Sequence, residues 1–372
     1  MIKIVYVTDQ IYLHGGIEKM LSQKINNWIT NYGYEVVLCT SEQRNQDFVY
    51  GLDTKLKHID LGINYNRAKS YFHFTNLIKS INHFYALRKF IKKEKPDIII
   101  SVNYTPEQFF LPFIEKQIPK IKEFHSSGIT IKKPDNIIDK LKHRLFLLLG
   151  RYQAQVILNV DEKKYYPFPH LYIIPNFIEI DVQTEQVQRD RTIIAAGRMA
   201  SVKQFDHLIQ AWSRIAADFP DWQVKIFGNG NEQLSLQLKE LIEKLEVPNI
   251  HLMGATNHLD QEMHKASVYA MTSATECFPM VLLEAQKAGL PIISYDCPNG
   301  PRNIISTNLD GWLTPQNEIG IFAQRLAMLI KNESNRKIME LAAKRNITQF
   351  SSEIVMEQWN ELFVKLREGQ YD

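Results

Sequence analysis

Short apolar runs rich in β-branched residues alternate along this chain with longer stretches of helical period, and the series occurs twice. The first comprises "IKIVYVT", "YEVVLCT", "KHIDL", "DIIISV", "IKEFHS" and "QVILNV"; the second comprises "TIIAAGR", "WQVKIFGNG", "NIHLMGA", "VYAMTS", "PIISYD" and "GWLTP". Runs that are apolar on both faces suit parallel strands covered by helices. Between the series lies "YIIPNFIEIDVQTEQVQRDR", a polar stretch with a proline near its start. The pattern predicts two doubly wound, Rossmann-like α/β domains joined near residues 175 to 190, with ligands in the cleft between them at the carboxyl ends of the strands. The expected boundaries are 1–178, 179–354 and a terminal helix over 355–372, read from "SSEIVMEQWNELFVKLREGQ".

At 372 residues and 45% hydrophobic, the chain can fill two ordinary cores. The opening "MIKIVYVTDQ" lacks the apolar core of a signal peptide, and no run approaches the roughly 20 residues of a membrane span. Cys39, Cys277 and Cys297 form no CxxC pair, which argues against a zinc site or a disulfide framework. A cytoplasmic home follows as the expectation. Net charge is +3, but residues 1 to 180 carry 25 Lys and Arg against 17 Asp and Glu, whereas residues 181 to 372 carry 19 against 24. A basic first half suits an anionic partner such as a membrane surface, a phosphorylated acceptor or nucleic acid, and simple solvated lysines account for it as well.

The chemistry concentrates in "TECFPMVLLEAQKAG". Pro279 in the first turn and Gly289 just past the end frame a helix, so Glu276 lies in the loop before it and Glu284 about 7.5 Å along its axis. Two carboxylates then bracket a helix N-terminus, where N–H groups from Met280 onward can receive an anion. This geometry suits a nucleotide-diphosphate sugar, although a solvated loop acid and a solvated helix acid give the same letters. "AAGRMASVKQFDHLIQAW" adds two cations, Arg198 and Lys203, around the start of the next helix, and "IFGNGNEQ" adds Gly228 and Gly230 after a strand. In the first half, "HGGIEK" puts Gly15 and Gly16 before a helix without completing a dinucleotide fingerprint. His125, at a strand end in "FHSSG", reads by itself as a structural histidine or a reactive one.

Taken together, "GGIEK", "FHSSG", "IPNFI", "GR" followed by Lys203, "FGNGN" and "ECFPMVLLEAQKAGLPIISYDCPNGPRNII" resemble the family 4 retaining glycosyltransferases of GT-B fold, across nearly the whole chain. The resemblance implies that Arg198 and Lys203 hold the donor pyrophosphate and Glu284 the ribose. It implies that Glu276 contacts the transferred sugar, aided by backbone from Phe278, Pro279, Met280 and Val281. His125 would serve the reaction centre, and the Gly15–Gly16 loop would close over phosphates and sugar. The last motif looks like the branch that builds bacterial surface polysaccharides, with a UDP-sugar as donor and a glycan or lipid-linked acceptor. Neither nucleic acid nor any cofactor is among the implied partners. No Asp-x-Asp occurs, so no metal is expected. Two departures stand out: Cys277 precedes Phe278, and Gln204 follows Lys203, where glycine is usual in each case. A glycosidase using the glutamate pair and an inactive sugar-nucleotide binding module are the alternative readings.

For peripheral membrane contact, at the inner face of the plasma membrane, the expected segment is "IKKPDNIIDKLKHRLFLLLGR". There Ile137, Ile138, Leu141, Leu145, Leu148 and Leu149 form a stripe that excludes Phe146 and Leu147, amid Lys132, Lys133, Lys140, Lys142, Arg144 and Arg151. A core helix with a basic outer face accounts for it equally well. The segment "ALRKFIKKEK" reads as a helix end whose cations suit the dipole.

Overall fold

The computed structural model describes residues 1–102, 104–131, 135–180 and 188–369. Lys132, Lys133 and residues 181–187 of the interdomain stretch lie outside the described residues, as do the side chains of Ile137 and Ile138.

Two units form. The first comprises Met1–Pro175 and the C-terminal segment from Val355. Its sheet has seven parallel strands, β1 (Lys3–Thr8), β2 (Glu35–Thr40), β3 (Lys57–Asp60), β4 (Ile98–Ser101), β5 (Lys120–Glu123), β6 (Ala154–Ile157) and β7 (Leu171–Ile173), in the order 3-2-1-4-5-6-7. At its centre Ile4 and Val5 pair with Val36 and Val37 on one side and with Ile98 and Ile99 on the other. All six are buried, as the two-faced apolar pattern requires. The second unit, Asn176–Ile354, holds six parallel strands: β8 (Thr192–Ala196), β9 (Gln223–Phe227), β10 (Ile250–Gly254), β11 (Val268–Met271), β12 (Ile292–Tyr295) and β13 (Gly311–Thr314), in the order 10-9-8-11-12-13. Every strand run read from the sequence is present.

Three details differ from the sequence reading. β7 has no counterpart in it: "LYI" is a half-buried edge strand, so the two-faced apolar signature is missing. β5 is buried but not apolar, since Lys120, Lys122 and Glu123 are all enclosed. Lys120 meets this demand by donating to the carbonyls of Glu115 (3.0 Å) and Ile118 (2.7 Å). Finally, the helix Ile137–Leu147 turns differently from the expected stripe. Phe146 packs on Phe168, with ring centroids 5.1 Å apart, while Leu141 is 54% exposed and Leu147 45%. The neighbouring aromatics Tyr166 and Phe168 fix this orientation, and a single helix has no record of them.

The helix Ser352–Arg367 closes the first unit. Its Trp359 sits edge-on to Trp28 at 5.9 Å, and Phe363 lies 5.3 Å from the same ring. Trp28 and Phe363 are wholly buried, and Trp359 nearly so. Trp359→Ala is expected to cost about 3–5 kcal/mol, because a large buried ring leaves a cavity. Chemical denaturation followed by tryptophan fluorescence measures it.

Candidate active site

In the second unit the strand ends gather most of the residues singled out above. β8 ends at Ala196, and Gly197 and Met199 bond through their N–H groups to the carbonyls of Phe227 (3.0 Å) and Asn229 (2.8 Å). Gly228 is essential to this seam: at φ +144°, a Cβ there would stand 1.8 Å from the Gly197 carbonyl oxygen. Gly230 pairs with Met199 under similar crowding. The chain then turns through Ser201–Lys203 to Gln204, whose φ of +45° is the left-handed conformation that explains a preference for glycine here. Thr272, beyond β11, anchors the turn by donating to the carbonyls of Lys203 (3.2 Å) and Gln204 (2.8 Å).

Lys203 therefore reaches back over Gly197, and its Nζ meets Glu276 Oε1 at 2.6 Å, with both side chains largely enclosed. Glu276 is held by a backbone bridge to Asn299, next to Gly300, where a Cβ would come 2.6 Å from that of Glu276. Pro279 is the residue before the helix Met280–Lys287 rather than part of its first turn, because its ψ of 107° is extended. Gly289 follows at φ +70°, as a left-handed helix end requires. The Phe278 ring turns into the core against Phe350, leaving its backbone toward the loop. Arg198 is exposed and Glu284 half-buried.

The sequence reading missed Tyr269, which looks like any aromatic in a strand. Its buried hydroxyl donates to the Ala196 carbonyl (3.2 Å) where β8 gives way to the loop. Burial, with the charges of Glu284 and Glu276, raises its pKa far above the ordinary phenol value and keeps it a donor. Both glutamates thus bear on the same buried hydroxyl. Burial likewise pushes the Cys297 thiol up to about 12, again beside Glu276, so it is not a reactive thiolate.

In the first unit, Gly15 is the extended residue before the helix Gly16–Thr30, and Gly16 is exposed. His125 belongs to a buried ionic cluster. Glu123, 1% exposed, takes His125 Nε2 at 2.7 Å on one oxygen together with Lys24 Nζ, and the Tyr6 hydroxyl on the other. Lys24 also lies over the Trp359 ring at 4.6 Å. Burial alone would raise the Glu123 pKa, yet Lys24 and His125 outweigh it and hold the carboxyl at about 2. Burial lowers that of His125, so at neutral pH the ring is neutral, Nε2–H donates to Glu123, and Nδ1 remains an acceptor.

Paired doubly wound domains with such loops define a class, and comparisons with known proteins agree on it. Residues 176–346 match the family model "Glycosyl transferases group 1". The chain is 24% identical over 379 residues to the amylovoran biosynthesis glycosyltransferase AmsD of Erwinia amylovora, covering 97% of this chain and 99% of that protein. An exopolysaccharide phosphotransferase of Streptomyces coelicolor is 35% identical over 200 residues, which span 53% of this chain but only 21% of that longer protein. Among solved structures, the pneumococcal O-GlcNAc transferase GtfA in complex with UDP and GlcNAc superposes with a TM-score of 0.75 at 15% identity, covering 98% of this chain and 99% of that one. The chain is a glycosyltransferase with the GT-B fold, and residues 176–346 of its second unit are similar to the group 1 family.

Two outcomes follow from this geometry. Gly228→Ala is expected to disrupt the seam between β8 and β9 and lower stability by about 2 kcal/mol or more, measurable by denaturation. Glu123→Gln leaves Lys24 buried without its counter-charge and is expected to cost about 3–5 kcal/mol. Because the folded pKa of Glu123 is depressed, its contribution is full above the unfolded carboxylate value near 4.5 and is lost as pH falls toward about 2. The wild-type protein should therefore lose stability across that window, and Glu123→Gln should flatten the slope.

Proposed function

We propose that the protein moves a hexose or N-acetylhexosamine from a nucleotide-diphosphate sugar, a UDP-sugar foremost, to a glycan or lipid-linked acceptor in surface polysaccharide assembly, with retention of anomeric configuration. The observation that carries this reading is the Lys203–Glu276 pair at the mouth of a glycine-built loop, beside a helix N-terminus. Arg198 and Lys203 receive the pyrophosphate, and the N–H groups of Met280 and Val281 add the positive end of the helix. Lys203 leaves Glu276 when the donor arrives, and the freed carboxylate takes sugar hydroxyls. Glu284 takes the ribose diol. The leaving diphosphate gains charge as the glycosidic bond breaks, and cations already in place stabilise it without reorganisation.

His125 acts at the reacting sugar through its accepting Nδ1, with Glu123 holding the ring in that tautomer. No metal is required, because side-chain cations and the helix dipole supply the charge. The part of one relative in amylovoran biosynthesis, and the UDP held by the GtfA structure, support the choices of pathway class and donor.

Arg198→Ala and Lys203→Ala are each expected to lower kcat/KM roughly 10²-fold or more, about 2.7 kcal/mol, in a mass-spectrometric screen of nucleotide sugars with lipid-diphosphate acceptors. Near-normal turnover in both would reject this donor site. Glu284→Ala is expected to weaken binding of free UDP, whereas Glu276→Ala lowers transfer while UDP still binds. Activity should persist in chelator, and a loss restored only by added metal would overturn the metal-free reading.

A further inference from the structure

The helix Phe74–Glu94 is inside out along its first three turns. Asn76 and His83, both fully buried, and the half-buried Ser80 face the protein, while Phe74, Leu77, Ile78, Ile81 and Tyr85 face away from it. Those five are 70, 46, 45, 57 and 63% exposed. Their spacing of three, four, seven and eleven residues from Phe74 is one stripe of an α-helix. The inward face is polar because it is specifically bonded. Asn76 Nδ2 donates to the carbonyls of Asn66 (3.0 Å) and Ser70 (3.1 Å), its Oδ1 accepts from Asn66 N (3.0 Å), and His83 Nδ1 meets the Tyr65 hydroxyl at 3.1 Å. The helix therefore cannot roll its apolar stripe inward without breaking these bonds. Phe72, 51% exposed, extends the patch in the preceding loop.

Soluble monomers seldom leave contiguous apolar surface of more than a few hundred Å² uncovered, so this face calls for an occupant. Charge identifies it. The same stripe continues into Arg88, Lys89 and Lys92, all exposed; Glu115 lies 3.9 Å from Arg88 and 3.7 Å from Lys92, so the three cations with this one carboxylate stay net positive, and no acidic residue occurs in the helix before Glu94. Apolar side chains in line with cations are what a helix lying in the headgroup region of an anionic bilayer presents.

We propose that this face of Phe74–Glu94 is the surface on which the protein docks to an anionic lipid bilayer, with Phe74, Leu77, Ile78, Ile81 and Tyr85 inserting and Arg88, Lys89 and Lys92 meeting the headgroups. It replaces the segment around Phe146 as the docking element, since the half-buried Phe146 ring packs on Phe168 against the core. The inference goes beyond the donor chemistry and rests on the proposed function only in giving a reason for a lipid-linked acceptor.

The test is co-sedimentation of the full chain, without substrates, with phosphatidylcholine vesicles that contain or lack phosphatidylglycerol. The wild type is expected to bind the anionic vesicles and to lose binding as salt rises from about 0.1 M to 1 M, over which the Debye length falls from about 10 Å to 3 Å. Phe74→Ser with Ile78→Ser and Ile81→Ser is expected to reduce partitioning at least about tenfold. Arg88→Gln with Lys89→Gln and Lys92→Gln should reduce it on anionic vesicles alone. These side chains are already in solvent, so the thermal melt and UDP binding should match the wild type. Tyr85→Ser serves as a second, milder apolar variant. Undiminished vesicle binding by both apolar variants, equal binding to neutral vesicles, or a wild-type dimer that the serine variant disperses would each overturn the proposal. Because no substrate is present, a failed donor assignment leaves this result unaffected.

Discussion

Parallel strands cannot be joined by tight hairpins, so every connection in both sheets must cross a face and return to the same end. In each unit that constraint sends all carboxyl-terminal strand ends to one edge, where chain leaving the sheet is released from the strand ladder and can carry chemistry. In the second unit, the edge collects Gly197 after β8, Gly228 after β9, Thr272 and Glu276 after β11, and Asn299 after β12. Apart from Thr272 and Glu276, which share one loop, none of these is near another in sequence. The seam between the β8 and β9 loops closes only because Gly228 has no side chain, and Lys203 can lie across Gly197 for a related reason.

The first unit uses the same edge for a different physical problem. Glu123 on β5 is a buried carboxylate, and it persists there because Lys24, His125 and Tyr6 occupy its oxygens. Removing charges from water is costly, and a buried pair repays that cost only with well-placed partners. The cluster joins the helix Gly16–Thr30, β1 and β5, and the Trp359 ring of the terminal helix shields Lys24. One arrangement thus ties the chain's last helix to the residues that fix the tautomer of His125.

The two candidate membrane helices illustrate how periodicity and environment divide the information. In Ile137–Leu147 the apolar stripe suited a membrane face and a core face equally, yet Phe146, left off the stripe, is the ring that packs on Phe168. In Phe74–Glu94 the stripe is regular, yet it points to solvent because Asn76 and His83 have partners within the fold. Periodicity reports that a helix has an apolar side. It carries no information about which side the protein covers.

Sequence by itself determined the alternation of strands and helices, the two-domain division of the chain and the family motif around Glu276 and Glu284, because these depend on local period, β-branched composition and residues close together in the chain. It also marked Gly228 and Gly230 as a turn that lets backbone approach a ligand. Tertiary structure alone showed that Gly228 is crowded by the backbone carbonyl of Gly197, thirty-one residues away. It alone paired Lys203 with Glu276, set Tyr269 beneath the β8 loop, and enclosed the charged side chains of Lys120, Lys122 and Glu123. Except for the Lys120 ammonium, which donates to the nearby carbonyls of Glu115 and Ile118, these rest on partners brought from distant parts of the chain. A buried polar group is stable only where such a partner stands, and its place is fixed by how the sheets and helices pack.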